Sequence, residues 1–476
     1  MKLKSIKIKN YRSVEEISFE TTALSDGTFT YGLIGVNEAG KSTILKALAL
    51  KDGLKNAKGE KLPLAKDFRD KNESIEIEYL YNLEKVDVDD IRNHLKTDPP
   101  LADDDIDFSS VKYTASFEYD KPGQTFESLE ITNLDESNPS KDAVEEKLRS
   151  LISKKTHQAI FWTAEDRYLI SQPINLAQFS ENPDDISLPL KNCFALAGIS
   201  GKTAIKEKIG LISESTEREQ LEDTLSKKVS KHINNAWPKH KIKITFNISD
   251  GLINFHVHDL KTTSKAKTAD QRSDGFGQFV SFLLTISAQN KNDELSNTIL
   301  LLDEPETHLH PQAQEDLLKE LITITANKRN NIAFFATHSN YMIDKKDLSR
   351  NYKISKDGHG TEREQFDRKV STYASVTYEV FEISSGDYHN QLYDLLREQY
   401  AKSVNKDPDE VGVKEFDVAF FQHVKSLKLE YPYKGKSNTT TLPTYVRNAI
   451  HYPENQSEEF EDKLKESIEL LKSYES

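Results

Sequence analysis

Apolar and polar positions alternate from the first residues onward. Leu3, Ile6 and Ile8 are separated by lysines, and ISFE (17–20) repeats the pattern after an NYRS turn. A period of two marks strands with one buried face. The pattern then changes. FTYGLIG (29–35) is apolar almost throughout, as in a strand covered on both sides, and STILKALAL (42–50) places Ile44, Leu45 and Leu48 on one face of a helix. SIEIEYLYNL (74–83) predicts another strand, VKYTASFEY with FESLEITNL a hairpin of a small sheet, AVEEKLRSLISKK (143–155) an amphipathic helix and QAIFWTAEDRYLI (158–170) a strand.

The stretch 202–237 is polar, glycine-poor and predicted mostly helical, without a sustained heptad register. KIKITFNISDGLINFHVHD (241–259) reads as strand, Ser-Asp-Gly turn and strand. TILLL (298–302), DLLKELITIT (316–325) and NIAFFATHS (331–339) then give buried strand, helix and buried strand, the order of a parallel sheet. After about 345 a short strand region is followed by helices expected near 387–400, 414–428 and 458–474.

Composition narrows the setting. A chain of 476 residues predicts roughly two to three structural units. Its single cysteine, Cys193, excludes a disulfide framework within the chain and a cysteine-based metal site, which fits a reducing, cytoplasmic location. MKLKSIKIKNYRS has no apolar core of a secretory signal and no run of 18 apolar residues occurs, so no membrane association is expected. The net charge of −14 does not favour nucleic acid. The basic runs KKVSKH (227–232) and KHKIK (239–243) read as a solvated helix face and a strand start, or as a local groove for a phosphate backbone.

Candidate chemistry lies at the ends of the buried strands. GVNEAGKST (35–43) fits G-x-x-x-x-G-K-[ST] between a strand and a helix. Gly35 and Gly40 free the backbone to wrap phosphates, and the helix N-terminus adds partial positive charge. Lys41 would reach the β- and γ-phosphates of a nucleotide and Ser42 would ligate Mg2+. ILLLDEPETHLHP (299–311) delivers Asp303 and Glu304 to the edge of the sheet, Asp303 suited to hold Mg2+ through water and Glu304 to polarise an attacking water. FFATHSN (334–340) delivers His338 to the same edge, within hydrogen-bonding reach of a γ-phosphate. RSDGFGQFVSFLL (272–284) opens a helix with a serine and glycines, a further anion-binding terminus.

Taken together, IKIKNYRSV, GVNEAGKST, RSDGFGQ, LLLDEPETHLHP and ATHS resemble, in this order, the soluble branch of the ABC-type ATPases that includes SMC, Rad50-like, RecF and OLD-like proteins. The resemblance implies an α/β fold, an ABC-type P-loop ATPase head of mixed or parallel sheet with flanking helices. Its lobes would be 1–85 and 240–345, with 86–239 an inserted arm of helices and small sheet and 346–476 a mostly helical, partner-binding extension. It implies that Gly35, Asn37, Glu38, Ala39, Gly40, Lys41, Ser42 and Thr43 form the Walker A loop for ATP and Mg2+. Asp303 and Glu304 would be Walker B and the catalytic glutamate, and His338 the switch histidine. Ser273, Gly275 and Gln278 would stand for the signature that meets ATP on a second subunit, although the sequence reads SDGFGQ where the family has LSGGQ.

The same resemblance implies a homodimer or higher homo-oligomer without its own nuclease. As in the ATPase subunits of the PARIS and Septu antiphage systems, it would answer a phage trigger, protein or DNA, and control a nuclease or toxin encoded nearby. A RecF-like DNA-maintenance ATPase is the alternative. Another is a nuclease acting through Arg447, Asn448 and His451, whose spacing is tighter than the Arg-to-His motif of HEPN ribonucleases; DPDE (407–410) reads as a loop.

Overall fold

The computed structural model describes residues 1–56, 58–97, 108–131, 134, 141–169, 173–236, 242–259, 267–268, 280–281, 284, 295–307, 309–326, 329–358, 360–366, 372–421, 428–433 and 436–474. They fall into two compact units, Met1–Lys369 and Val370–Ser476. The strands of the first unit are β1 (Lys2–Tyr11), β2 (Val14–Glu20), β3 (Thr30–Ile34), β4 (Ile75–Asn82), β5 (Ser110–Phe117), β6 (Phe126–Ile131), β7 (Gln158–Thr163) and β8 (Ile174–Asn175). They continue with β9 (Ile242–Ser249), β10 (Leu252–Asp259), β11 (Lys267–Thr268), β12 (Thr298–Asp303), β13 (Ile332–Thr337), β14 (Asn351–Lys356) and β15 (Thr361–Gln365).

The apolar runs form the central sheet, in the order β15-β14-β3-β13-β12-β7. Every residue of β3, β12 and β13 is buried. Strands covered on both faces belong in a parallel sheet, and β14, β3, β13, β12 and β7 pair in parallel, with β15 antiparallel at the edge. The helix Pro311–Thr325 carries the chain from β12 back to β13, its direct neighbour. β13 therefore lies between β3 and β12, and the chain segments leaving all three strands emerge at one edge. Helix α1 (Lys41–Ala49) packs Ile44, Leu45, Ala47 and Leu48 inward, as its apolar spacing predicts.

The alternating segments form the other sheets. β2-β1-β4-β5-β6 is antiparallel, with Ile6, Ile8, Ile77 and Tyr79 among its buried residues. Phe19 of β2 meets Phe334 edge-on at 5.7 Å and Tyr352 at 5.1 Å, which anchors this sheet on the central one. β9 and β10 form the expected hairpin, and Asp250 and Gly251 turn it with φ of 51° and 74°. The helix Ser215–Ala236 lies along β9 and buries Leu221, Leu225, Val229 and Ile233, a stripe four residues apart. Its Asn234 exchanges two hydrogen bonds of 2.8 Å with the Ile242 backbone.

Three expectations change. β7, from the stretch read as an inserted arm, is an edge strand of the central sheet, and β14 and β15, beyond the expected limit at 345, form its other edge. The hairpin β5–β6 extends the N-terminal sheet rather than making a separate one. The helix expected over 414–428 spans Val413–Phe420, and β16 (Lys428–Tyr433) follows, paired with β17 (Lys436–Thr441). The first two turn on partners far away in sequence, which local periodicity does not encode.

The second unit is largely helical, with helices Tyr373–Phe381, Gly386–Ser403, Val413–Phe420, Leu442–His451 and Phe460–Ser473. Its own core includes Leu392, Tyr393, Phe416, Phe421, Val446 and Ile468. DPDE ends in a short 3-10 turn, Pro408–Glu410, capped by the Asp407 carboxylate accepting from Asp409 N.

Candidate functional site

Leaving β3, the chain passes through the glycine loop and enters α1 at Gly40, whose φ of 105° suits glycine. Glu38 also adopts a left-handed conformation, at 64°. A Cβ on Gly40 would meet Thr361 Oγ1 at 2.4 Å, and one on Gly35 would meet the Ile354 carbonyl oxygen at 2.2 Å. The glycines thus serve two ends: they leave the loop's inner wall open, and they let β14 and β15 press against its back.

The Lys41 ammonium donates to the carbonyl oxygens of Gly35 and Val36, both at 2.9 Å. Burial lowers its pKa to about 8, against the opposing pull of Glu304, Asp303 and Glu306. Ser42 Oγ donates to Asp303 Oδ1 at 2.8 Å, across the strand that separates β3 from β12. Asp303 is buried, and desolvation raises its pKa although the Ser42 bond opposes this.

Glu304 follows β12 in a left-handed conformation, φ 51°, its N–H donating to the Ala336 carbonyl at 3.0 Å. Such strain costs about 1–3 kcal/mol and collects at functional sites. Its Oε1 accepts from His338 Nε2 at 3.2 Å, and this bond, before all other causes, lowers the Glu304 pKa. Burial instead pushes the neighbouring Glu306 carboxyl up to about 7.

These elements enclose a cavity of about 510 Å³, lined by Arg12, Ser13, Asn37, Glu38, Gly40, Lys41, Ser42, Thr43, Glu304, His338 and Lys356. Most of the expected site residues are on that wall. Asp303 stands behind it through Ser42, while Gly35 and Ala39 shape the loop from its back. Ser273, Gly275 and Gln278 lie outside the described residues.

Arg12, Ser13 and Lys356 had no assigned role. Arg12 sits in the NYRS turn with φ 52°, bonded to Asp67 Oδ1 at 2.9 Å, and a basic residue in a tight turn could have flagged it. Lys356 ends β14 and reaches the cavity only because β14 pairs with β3. The tail residues read differently: Arg447 lies over the Tyr393 ring at 5.7 Å and bonds Asn448 at 3.3 Å, and His451 is exposed at the helix end.

The cavity suits a nucleotide and a divalent cation. An open glycine wall, a desolvated ammonium and a helix N-terminus converge on it, the features that phosphates need. Among the described residues no group of three or more His, Cys, Asp or Glu could hold a metal by itself. Ser42 and Asp303 supply an oxygen pair, which fits a cation that takes its remaining ligands from phosphate and water. Among the described residues no helix is long and apolar enough to cross a membrane.

Residues 31–344 match the family described as "AAA domain, putative AbiEii toxin, Type IV TA system". The chain is also similar to the Old nuclease of Escherichia phage P2, 32% identical over 82 residues, 17% of this chain and 14% of that protein. An uncharacterized protein of Methanocaldococcus jannaschii is 26% identical over 126 residues, 25% of this chain and 32% of that protein. The chain thus covers no more than 32% of the length of either relative. Among solved structures it is similar to an SMC head bound to the C-winged helix domain of ScpA, at TM-score 0.42 and 12% identity, covering 77% of this chain and 98% of that one. The SMC head domain of Thermotoga maritima gives 0.38 and 9%, covering 77% and 100%. The α/β assignment rests on the sheet order above rather than on that likeness.

Proposed function

Because the chain belongs to the AAA-domain family described as a type IV toxin–antitoxin component, we propose that it binds ATP with Mg2+ at the central sheet edge and hydrolyses it. The observation that carries this reading is one cavity walled by Lys41, Ser42, Glu304 and His338, with Asp303 bonded to Ser42 at 2.8 Å. ATP brings the anhydride bond to be cleaved and Mg2+ neutralises charge on its phosphates. Lys41 and the α1 N-terminus hold phosphate, and Ser42 with Asp303 would hold the cation. Glu304, kept ionised by its bond to His338, accepts a proton from water, and the imidazole in turn fixes the direction of that carboxylate.

We read the turnover as a switch in a homodimer or higher oligomer that controls a separate nuclease or toxin in antiphage defence, of the kind the PARIS and Septu resemblance implies. The family description, which names a toxin–antitoxin system, supports this setting. So does the second unit: among the described residues it carries Ile383, Leu395, Val404, Val418, Tyr452 and Tyr474, six of the ten exposed large hydrophobic side chains. Exposed apolar side chains favour a protein partner where they form a contiguous patch. Calorimetric titration with MgATP tests the nucleotide reading: the wild-type chain binds and Lys41→Ala binds more than roughly thirtyfold more weakly. Equal affinity in the two would remove the glycine loop as the site. Co-purification with the product of a neighbouring gene, lost on replacing Val418 and Tyr452 by Ser, tests the partner reading.

A further inference from the structure

Glu304 lines the cavity, but Glu306, two residues on, is turned into the protein and is only 5% exposed. Its Oε1 accepts from the Thr337 hydroxyl and from the His338 backbone N–H at 3.2 Å, while its Oε2 meets no hydrogen-bond donor. Gln314, on the crossover helix, adds a second tie. Its amide donates to the Leu309 carbonyl at 2.7 Å and to the Glu306 carbonyl at 3.4 Å, and its oxygen accepts from Ser339 Oγ. Thr337 Oγ1 in turn accepts from Ser339 N at 2.9 Å. The segment after β12 and the segment after β13 are thus joined by side chains beyond the end of their backbone ladder, which stops at Asp303 and Ala336.

Burying a carboxyl is costly. A small hydroxyl side chain at 306 could not reach both donors, and an apolar one would leave the Thr337 hydroxyl and the His338 N–H without that acceptor, which is unfavourable. The carboxyl does one thing that packing would not: it fixes the backbone from which the His338 ring reaches Glu304. We propose that Glu306 is a positioning residue for the Glu304–His338 pair, so that turnover, but not nucleotide affinity, depends on it. This rests on the ATPase reading above.

The test measures steady-state ATP hydrolysis and MgATP affinity on the full chain for wild type, Glu306→Ala, Glu306→Gln and Thr337→Val. Glu306→Ala is expected to lower kcat about 10- to 100-fold, the scale of a small misplacement of reacting groups, with affinity within about twofold. Glu306→Gln keeps the acceptor oxygen and is expected to retain kcat within about threefold of wild type. Thr337→Val removes one donor, leaves the His338 bond in place, and should give a smaller fall of the same kind. An unchanged kcat in Glu306→Ala overturns the proposal while leaving the ATPase reading intact, as does a parallel loss of kcat and affinity. If Glu306→Ala does not fold, an unchanged kcat in folded Thr337→Val overturns it. No hydrolysis by the wild type overturns the ATPase reading itself.

Discussion

The two units differ in where their buried ionisable groups gather. In the first, Lys41, Asp303, Glu304 and Glu306 converge on one sheet edge, and all four have displaced pKa values. Two of the backbone positions there, Glu38 and Glu304, are left-handed. In the second, buried polar groups pair off locally: His389 Nε2 with Ser467 Oγ at 2.9 Å, Tyr393 with Thr444 at 2.8 Å, and Asp417 with Thr441 N at 3.2 Å. Those pairs tie its elements together, while Arg397 Nε and Thr440 Oγ1 are buried without a hydrogen-bond partner and several large apolar side chains lie exposed. Convergent, desolvated charge at one cavity points to chemistry. On the proposed reading, chemistry belongs to the first unit and partner contact to the second.

The largest effect that would break this division comes from the core of the second unit. Phe416 is fully buried among aromatic rings, and Phe416→Ala should destabilise that unit by about 3–5 kcal/mol in a denaturant titration. ATP hydrolysis by the first unit should persist, and a matching loss would contradict the division. Next, Lys41→Ala should cost MgATP affinity about 2–5 kcal/mol, more than roughly thirtyfold, without moving the unfolding of the second unit. Gly40→Ala forces a side chain into φ 105° and against Thr361, and should destabilise the first unit by about 1–3 kcal/mol while weakening nucleotide binding.

The smallest effect is a difference in pH dependence. Each unit buries a neutral histidine, His157 in the first and His389 in the second, with burial lowering both pKa values to about 4 from 6.5. Below 6.5 the unfolded chain takes up protons that the folded one refuses, so both units lose stability as pH falls from 6.5 toward 4. Glu306 acts in the other direction. Its pKa rises from 4.5 to about 7, so the folded state holds the proton longer and stability falls as pH rises through that window. The first unit is therefore squeezed from both sides. Glu306→Gln should remove the loss between pH 4.5 and 7, measured by thermal unfolding across pH, and leave the acid limb in place. A curve unchanged by Glu306→Gln would mean that this carboxyl is already ionised in the folded protein.

What could be read in the sequence was local. The glycine loop, the Asp303–Glu304 pair at the end of an apolar run, and His338 after the next run each carry their signal within about ten residues. The short strand–helix–strand spacing also brings Asp303–Glu304 and His338 together, whereas the glycine loop joins them through the pairing of β3 with β13, about 300 positions later. Lys356 and Glu306 were not legible, for different reasons. Lys356 reaches the cavity through the pairing of β14 with β3, more than 300 positions earlier in the chain. Glu306 sits in the same DEPE run as Glu304, and only the register of the turn decides which carboxyl faces the cavity and which is buried. The glycines were read as phosphate wrapping alone, whereas Ile354 and Thr361 show that Gly35 and Gly40 also admit β14 and β15. The edge strand β7 was missed as part of the sheet because an apolar strand does not name its neighbour.

On the proposed reading, Glu304 drives ATP hydrolysis in a site that binds nucleotide without it. Measuring MgATP affinity and steady-state phosphate release for Glu304→Gln beside wild type tests this most directly. Affinity is expected within about twofold of wild type, and phosphate release lowered about 10²- to 10⁴-fold. Phosphate release at the wild-type rate, with affinity unchanged, would contradict it.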